Sequence, residues 1–170
     1  MPPARPDHGP GRVQVRLTEH GGTDAPALAT PRRHTRRTMS QENVEILRAF
    51  YEALNRGDWE AASRQLSPEI EWETDPRHPE AGIYRGHEGF RRFLEDIEAP
   101  FEQTITEIEE CFARDDKVVL FVKIRRRPEG GSAEVVIRIG ELWTLRDGML
   151  VRGQGFGERE KALEAVGLSE

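Results

Sequence analysis

From Ser40 onward, Val44, Leu47, Tyr51 and Leu54 recur at the three- and four-residue spacing of a helix buried along one side. Ser40 and Asn43 are suitable caps for its start, and Asn55-Arg56-Gly57-Asp58 supplies a stop, a turn and the cap of the next element. A short second helix follows through Trp59, Ala62 and Leu66, ending before Ser67-Pro68 because proline cannot continue it. Residues 70–73 then read as a short strand and residues 74–84, with Pro76, Pro79 and Gly82, as a loop. A third helix is expected over 86–97, where Phe90, Phe93, Leu94 and Ile97 share one side.

Beyond residue 100 the period changes from helical to alternating. Strands are expected over 104–113, 117–127, 133–145 and 149–156, joined by Asp115-Asp116, the run 128–132 and the Asp147-Gly148 turn. A last short helix over 158–166 closes at Gly167. Helices first and a mostly antiparallel sheet of long strands second is an α+β arrangement, and no internal repeat is visible.

Composition divides the chain at the same place as the periodicity. Residues 1–38 hold six of the eleven prolines, no aromatic residue and no apolar period, so they lack the means to offset the entropy of ordering. The expectation is a disordered N-terminal extension over 1–39 and a folded domain over 40–170. Met39-Ser40 also resembles a chain start, which the intact mass of the natively expressed protein tests.

Charge divides there too. Seven arginines against three acids give the extension +4, which leaves 18 basic and 28 acidic residues, net −10, in the domain. An acidic domain repels phosphate backbones, so nucleic acid is not expected as a partner. No segment approaches the ~20 apolar residues of a membrane span, and no apolar run follows the arginine pairs as an export signal requires. A cytoplasmic protein is expected. The single Cys111 rules out an internal disulfide and reads as a packed strand residue.

Alternation also indicates where chemistry lies, because successive strand residues face opposite sides of a sheet. In the segment 133–145 the odd positions are Val135, Ile137, Ile139, Glu141, Trp143 and Leu145, a single acid in an apolar row. A carboxyl among such neighbours loses hydration, which raises its pKa toward the range of a working acid or base. The alternatives are that Glu141 faces solvent or a second copy, or pairs with an arginine such as Arg152. On the next strand Gly153 and Gly155 share a parity, which marks either space for a ligand or simple curvature.

Other signals are weaker. Asp75, His78 and Glu80 have no spacing that corresponds to a metal motif, so no metal is expected. There is no nucleophile elbow, phosphate-binding glycine loop or paired-cysteine motif, and no cofactor is expected. Phe50, Tyr51, Trp59 and Trp72 are most simply core aromatics, with the lining of a pocket as the alternative.

The segments "EILRAFYEALNRGDW" (45–59), "EIEWE" (69–73), "GIYRGHEGFRRFL" (82–94), "LWTLRDGMLVRGQGF" (142–156) and "REKALEAVGL" (159–168), in that order, resemble the SnoaL-like branch of the nuclear transport factor 2-like superfamily. The resemblance covers essentially all of 40–170. It implies a cone-shaped, strongly curved sheet with the N-terminal helices on its concave face, a small-molecule pocket inside and frequent homodimerisation. It also implies one of several cofactor-free activities, among them cyclase, isomerase, dehydratase and epoxide hydrolase, or simple ligand binding. In the ketosteroid isomerases of this superfamily a helix-one tyrosine and a strand acid form an oxyanion hole while a second acid moves the proton. Registering the shared "ALN-x-GD" segment puts Phe50 at the tyrosine's place, with Tyr51 about 100° further round the helix. It puts Glu141 at the strand acid's place, and Glu73, Thr74 and Asp75 near that of the proton-moving acid.

The site expected from all of this comprises Glu141 and Asp75 as catalytic carboxyls. Tyr51, Trp59, Trp72, Phe93, Trp143, Gly153 and Gly155 are expected around a small, mainly apolar ligand.

Overall fold

The computed structural model describes residues 14–15 and 31–168, with side chains from Met39. The expected unstructured extension lies mostly outside the described residues. Within it, Gln14–Val15 form a short strand, β1, and residues 31–39 belong to the first helix.

That helix, α1, runs from Pro31 to Asn55. It therefore passes through Ser40 and Asn43, and the expectation of a cap there is corrected. Nothing between 31 and 43 forces a break, and proline is well suited to a first helical position. Its end is as expected: Gly57 adopts φ +70°, and the amides of Gly57 and Asp58 bond back to the carbonyls of Leu54 and Ala53 at 2.9 Å each. The Asp58 carboxylate then accepts from the Ala61 amide at 3.0 Å and caps α2, Trp59–Ser63.

Helix α2 is shorter than expected because strand β2 already begins at Leu66 and runs to Glu73, through Pro68. Pro68 has no N–H to give a ladder, and the pairing of β2 slips between Leu66 and Glu71. Residues 83 and 84, expected in a loop, start β3, Ile83–Arg85, which pairs with β2. Helix α3, Gly86–Glu98, follows directly. The four strands β4 (Phe101–Arg114), β5 (Lys117–Pro128), β6 (Val135–Arg146) and β7 (Met149–Phe156) form an antiparallel meander, and α4 spans Arg159–Ala165. The β6–β7 turn places Asp147 and Gly148 at φ 51° and 74°, the left-handed pair that a tight hairpin needs.

The sheet order is β1-β4-β5-β6-β7-β2-β3, with β2 parallel to β7. This is the α+β class expected, a curved sheet carrying helices. The two faces of β5 separate two cores. Val118, Leu120, Val122 and Ile124 join the main core with Leu47, Phe50 and Phe90 from α1 and α3, whereas Val119 and Phe121 pack with Leu142 and Ala162 under α4. Gly140 allows that second contact: a Cβ there would come within 2.7 Å of the Ala162 Cβ. The remaining space on the inner face, between the helices and β4–β7, is a cavity.

Candidate functional site

The cavity measures about 470 Å³, within the range of small-molecule sites. Strand alternation gives it its floor: Ile137, Ile139, Glu141 and Trp143 of β6 all line it. Glu141 is only 4% exposed. Its Oε2 accepts from the Tyr51 hydroxyl of α1 and, at 2.9 Å, from the indole N–H of Trp143. Oε1 forms no hydrogen bond among the described residues, and Glu141 is one of the residues that line the cavity.

Burial dominates the electrostatics. It pushes the Glu141 carboxyl above the ordinary glutamate value, against the two hydrogen bonds, which pull it down. Burial also holds the Tyr51 phenol well above its usual value, helped by the neighbouring carboxyl. Tyr51 therefore remains a proton donor to Glu141 throughout the neutral range.

The sequence register puts Phe50 where a hydroxyl-bearing tyrosine is expected; in the structure it is Tyr51 whose hydroxyl reaches Glu141. Phe50 is fully buried beside it and packs edge-on against Trp143, ring centroids 5.5 Å apart. Both residues are buried because α1 is enclosed over a broad arc, so a 100° turn does not carry Tyr51 to the surface.

Asp75 reaches the rim of the cavity, but its acceptor positions are filled. Oδ1 accepts from the Arg77 amide at 2.9 Å and Nε at 3.1 Å, and Oδ2 accepts from Arg77 Nη2 at 3.1 Å and the Gly157 amide at 2.7 Å. The hydrogen bonds from Arg77 hold its carboxyl far below the ordinary aspartate value. Arg77 also donates to Glu158 at 2.6 Å, so loop, strand end and α4 are strapped together. Glu73 is engaged as well, by Arg152 at 2.8 Å and Gln154 at 2.9 Å. Arg152 is thus paired with Glu73 and not with Glu141.

Among the aromatics, Trp72 and Phe93 line the cavity with Trp143, and the two indoles pack with centroids 5.2 Å apart. Trp59 lies outside the lining, packed against Phe90 and Arg91. Gly155 lines the cavity, but Gly153 does not: a Cβ there would meet Trp72 Cε3 at 2.6 Å and Trp143 Cζ3 at 2.8 Å. The space that Gly153 leaves is taken by the two indoles. Sequence reasoning missed Thr104, Glu98 and Arg126, which also line the cavity. The missed signal for Arg126 was its parity, next in the inward row after Val118, Leu120, Val122 and Ile124. Among the described residues no three His, Cys, Asp or Glu side chains gather as metal ligands, and no helix is long and apolar enough to cross a membrane.

The pattern of the SnoaL-like domain matches residues 47–153, which takes in the end of α1, α2, α3, the cavity floor and Glu141. The chain belongs to the SnoaL-like domain family. Several solved structures share the fold. TerC, co-crystallized with polyporic acid, is 22% identical, with 72% of this chain covering 96% of that one at a TM-score of 0.62. An NTF2-like protein of unknown function from Burkholderia pseudomallei is 16% identical over 74% of this chain and 98% of its own, TM-score 0.61. A putative SnoaL-like polyketide cyclase from Jannaschia sp. CCS1 is 17% identical over 79% and 90%, TM-score 0.59. At these identities the likeness shows the fold alone. Among curated proteins none matches this chain. What distinguishes one SnoaL-like protein from another must therefore be read from the cavity's own side chains.

Proposed function

We propose that this SnoaL-like protein is a cofactor-independent proton-transfer enzyme acting on a small, mainly apolar carbonyl compound, with Glu141 as its acid and base. The observation that supports this is the desolvated Glu141 carboxyl on the wall of a mainly apolar cavity, one oxygen held by two donors and the other without a hydrogen bond among the described residues. Oε1 takes the proton from the carbon next to the substrate carbonyl, the C–H electron pair moves onto the carbonyl oxygen as an enolate, and the same proton returns to carbon elsewhere. The net change is an isomerisation. Burial serves this step because a carboxylate withdrawn from water is a stronger base toward a carbon acid. Tyr51 and Trp143 orient the carboxyl, while Trp72 and Phe93 shape the apolar wall. Asp75, already hydrogen-bonded on both oxygens, acts as the clamp of the rim and not as a second proton carrier.

The test is hydrogen–deuterium exchange into a β,γ-unsaturated cyclic ketone in D2O, followed by proton NMR. Wild type should accelerate loss of the proton next to the carbonyl, and Glu141→Gln should reduce the acceleration by about a hundredfold or more. Equal exchange by the two proteins would reject Glu141 as the proton carrier.

The engagement of both Asp75 and Glu73 favours a second reading, a noncatalytic binding module in which Glu141 is a buried hydrogen-bonding group. On that reading neither protein accelerates exchange, yet both bind apolar carbonyl compounds. Homodimerisation through the sheet belongs to either reading, since Val135 and Val136 are 42% and 45% exposed on β6, and sedimentation velocity checks it.

A further inference from the structure

Arg126 lies six residues along β5 from Leu120, the residue paired with Glu141. Alternation along β5 turns Val118, Leu120, Val122 and Ile124 into the main core, and Arg126 is the next residue in that row. It lines the same cavity as Glu141. Cross-strand register sets it between Thr104 of β4 and Val135 of β6. Its neighbours are paired outward: Arg125 with Glu107 at 2.7 Å and Arg127 with Glu102 at 3.4 Å. Arg126 forms no ion pair among the described residues; its guanidinium lies over the Phe101 ring at 5.2 Å. Its Nε and the Thr104 hydroxyl facing it across the ladder are both buried without a hydrogen-bond partner.

Glu98, at the end of α3, also lines the cavity and is the acid that acts on Arg126 electrostatically, without closing an ion pair with it. Burial holds the Glu98 carboxyl above its ordinary value, against the pull of Arg126. A guanidinium half withdrawn from water beside an unsatisfied hydroxyl is stabilised when an anion arrives that both can bond.

We propose that Arg126 and Thr104 form a carboxylate-recognising subsite, so that the ligand of this cavity is an elongated, mainly apolar molecule with an acidic terminus. The inference rests on the reading that the cavity beside Glu141 is the substrate site. Leu120 lies opposite Glu141 in the β5–β6 ladder, and Arg126 is six positions further along β5, about 20 Å of strand at ~3.3 Å per residue. Ile124, Ile137 and Ile139 supply the apolar wall between the two polar ends. The reactive carbonyl would thus sit at one end of the molecule and the carboxylate at the other.

Decanoate and 1-decanol, which differ at the terminus, separate the contributions of chain and charge. Their affinities at pH 8 are read from the fluorescence of Trp72 and Trp143 and confirmed by calorimetry. The ratio of decanoate to decanol affinity should fall about tenfold or more in Arg126→Met, as loss of a charge-assisted hydrogen bond requires. It should be largely retained in Arg126→Lys and unchanged in Arg127→Met, which removes an outward charge one residue on. Glu98→Gln should raise decanoate affinity by removing the competing carboxyl. A ratio unchanged by Arg126→Met would overturn the subsite while leaving the cavity intact as a binding site for apolar chains. Failure of wild type to bind either probe would overturn both.

Discussion

Tyr51→Phe removes one oxygen from the interior and nothing else. The ring stays in contact with Phe50, and the hydroxyl that is lost is the one that donates to Glu141 Oε2. Tyr51 and Glu141 are 8% and 4% exposed, so water does not readily replace the lost donor. A hydrogen bond to an ionised acceptor contributes about 1.5–3 kcal/mol, and one to a neutral acceptor about 1 kcal/mol. The cost of the substitution should therefore depend on pH. Because the Glu141 pKa is raised in the folded state, that group's contribution to stability is fully present below the ordinary glutamate value of 4.5 and is lost as pH rises through the folded value. Removing a bond that favours the anion raises the folded value further, so the deficit of Tyr51→Phe against wild type should widen with pH. Urea unfolding at pH 5 and pH 8 measures it: a loss of about 1 kcal/mol or more at pH 5, growing toward about 2–3 kcal/mol at pH 8 as a larger share of the carboxyl is ionised. In a Glu141→Gln background the loss should stay near 1 kcal/mol at both pH values. A deficit that is the same at both pH values in the wild-type background, or one below about 0.5 kcal/mol, would refute the account of the pair as a charge-dependent hydrogen bond.

Gly153→Ala should destabilise the domain by about 1–3 kcal/mol through overpacking, because its Cβ would overlap both indoles; thermal unfolding checks this, and an unchanged melting temperature would contradict the packing role. Asp75→Asn should speed amide hydrogen exchange at Gly157 and loosen the rim, since it removes the charge that holds Arg77 and weakens the 2.7 Å bond from that amide. The Asp75 carboxyl is depressed in the folded state, so in wild type its contribution is present above 3.8 and is lost only as pH falls well below that value. Unaltered protection of Gly157 in the variant would show that the clamp does not hold the rim.

How much of this could be read from the chain depends on the range over which each physical cause acts. The period of apolar residues is a local property, and it was enough to indicate α3, the meander from β4 to β7 and the apolar row of β6 that carries Glu141. Alternation singled out that carboxyl as the one acid in an apolar row, but that the row faces the interior and not solvent or a second copy was decided by the packing of the helices. The ends of elements were less legible. Pro68 ends a helix in isolation, yet here it sits inside β2, where the slip in pairing with β7 removes the need for its N–H.

Side-chain partnerships across long separations were decided only by the tertiary structure. Tyr51 and Glu141 are 90 residues apart, and which of two adjacent aromatics reaches the carboxyl depends on how α1 rolls against the curved sheet. The same packing gives the space above Gly153 to two indoles and ties Asp75 to Arg77 and Gly157. Periodicity determines the face on which a residue lies, but the distance between two such faces is set by sheet curvature and helix placement, which depend on the whole core at once.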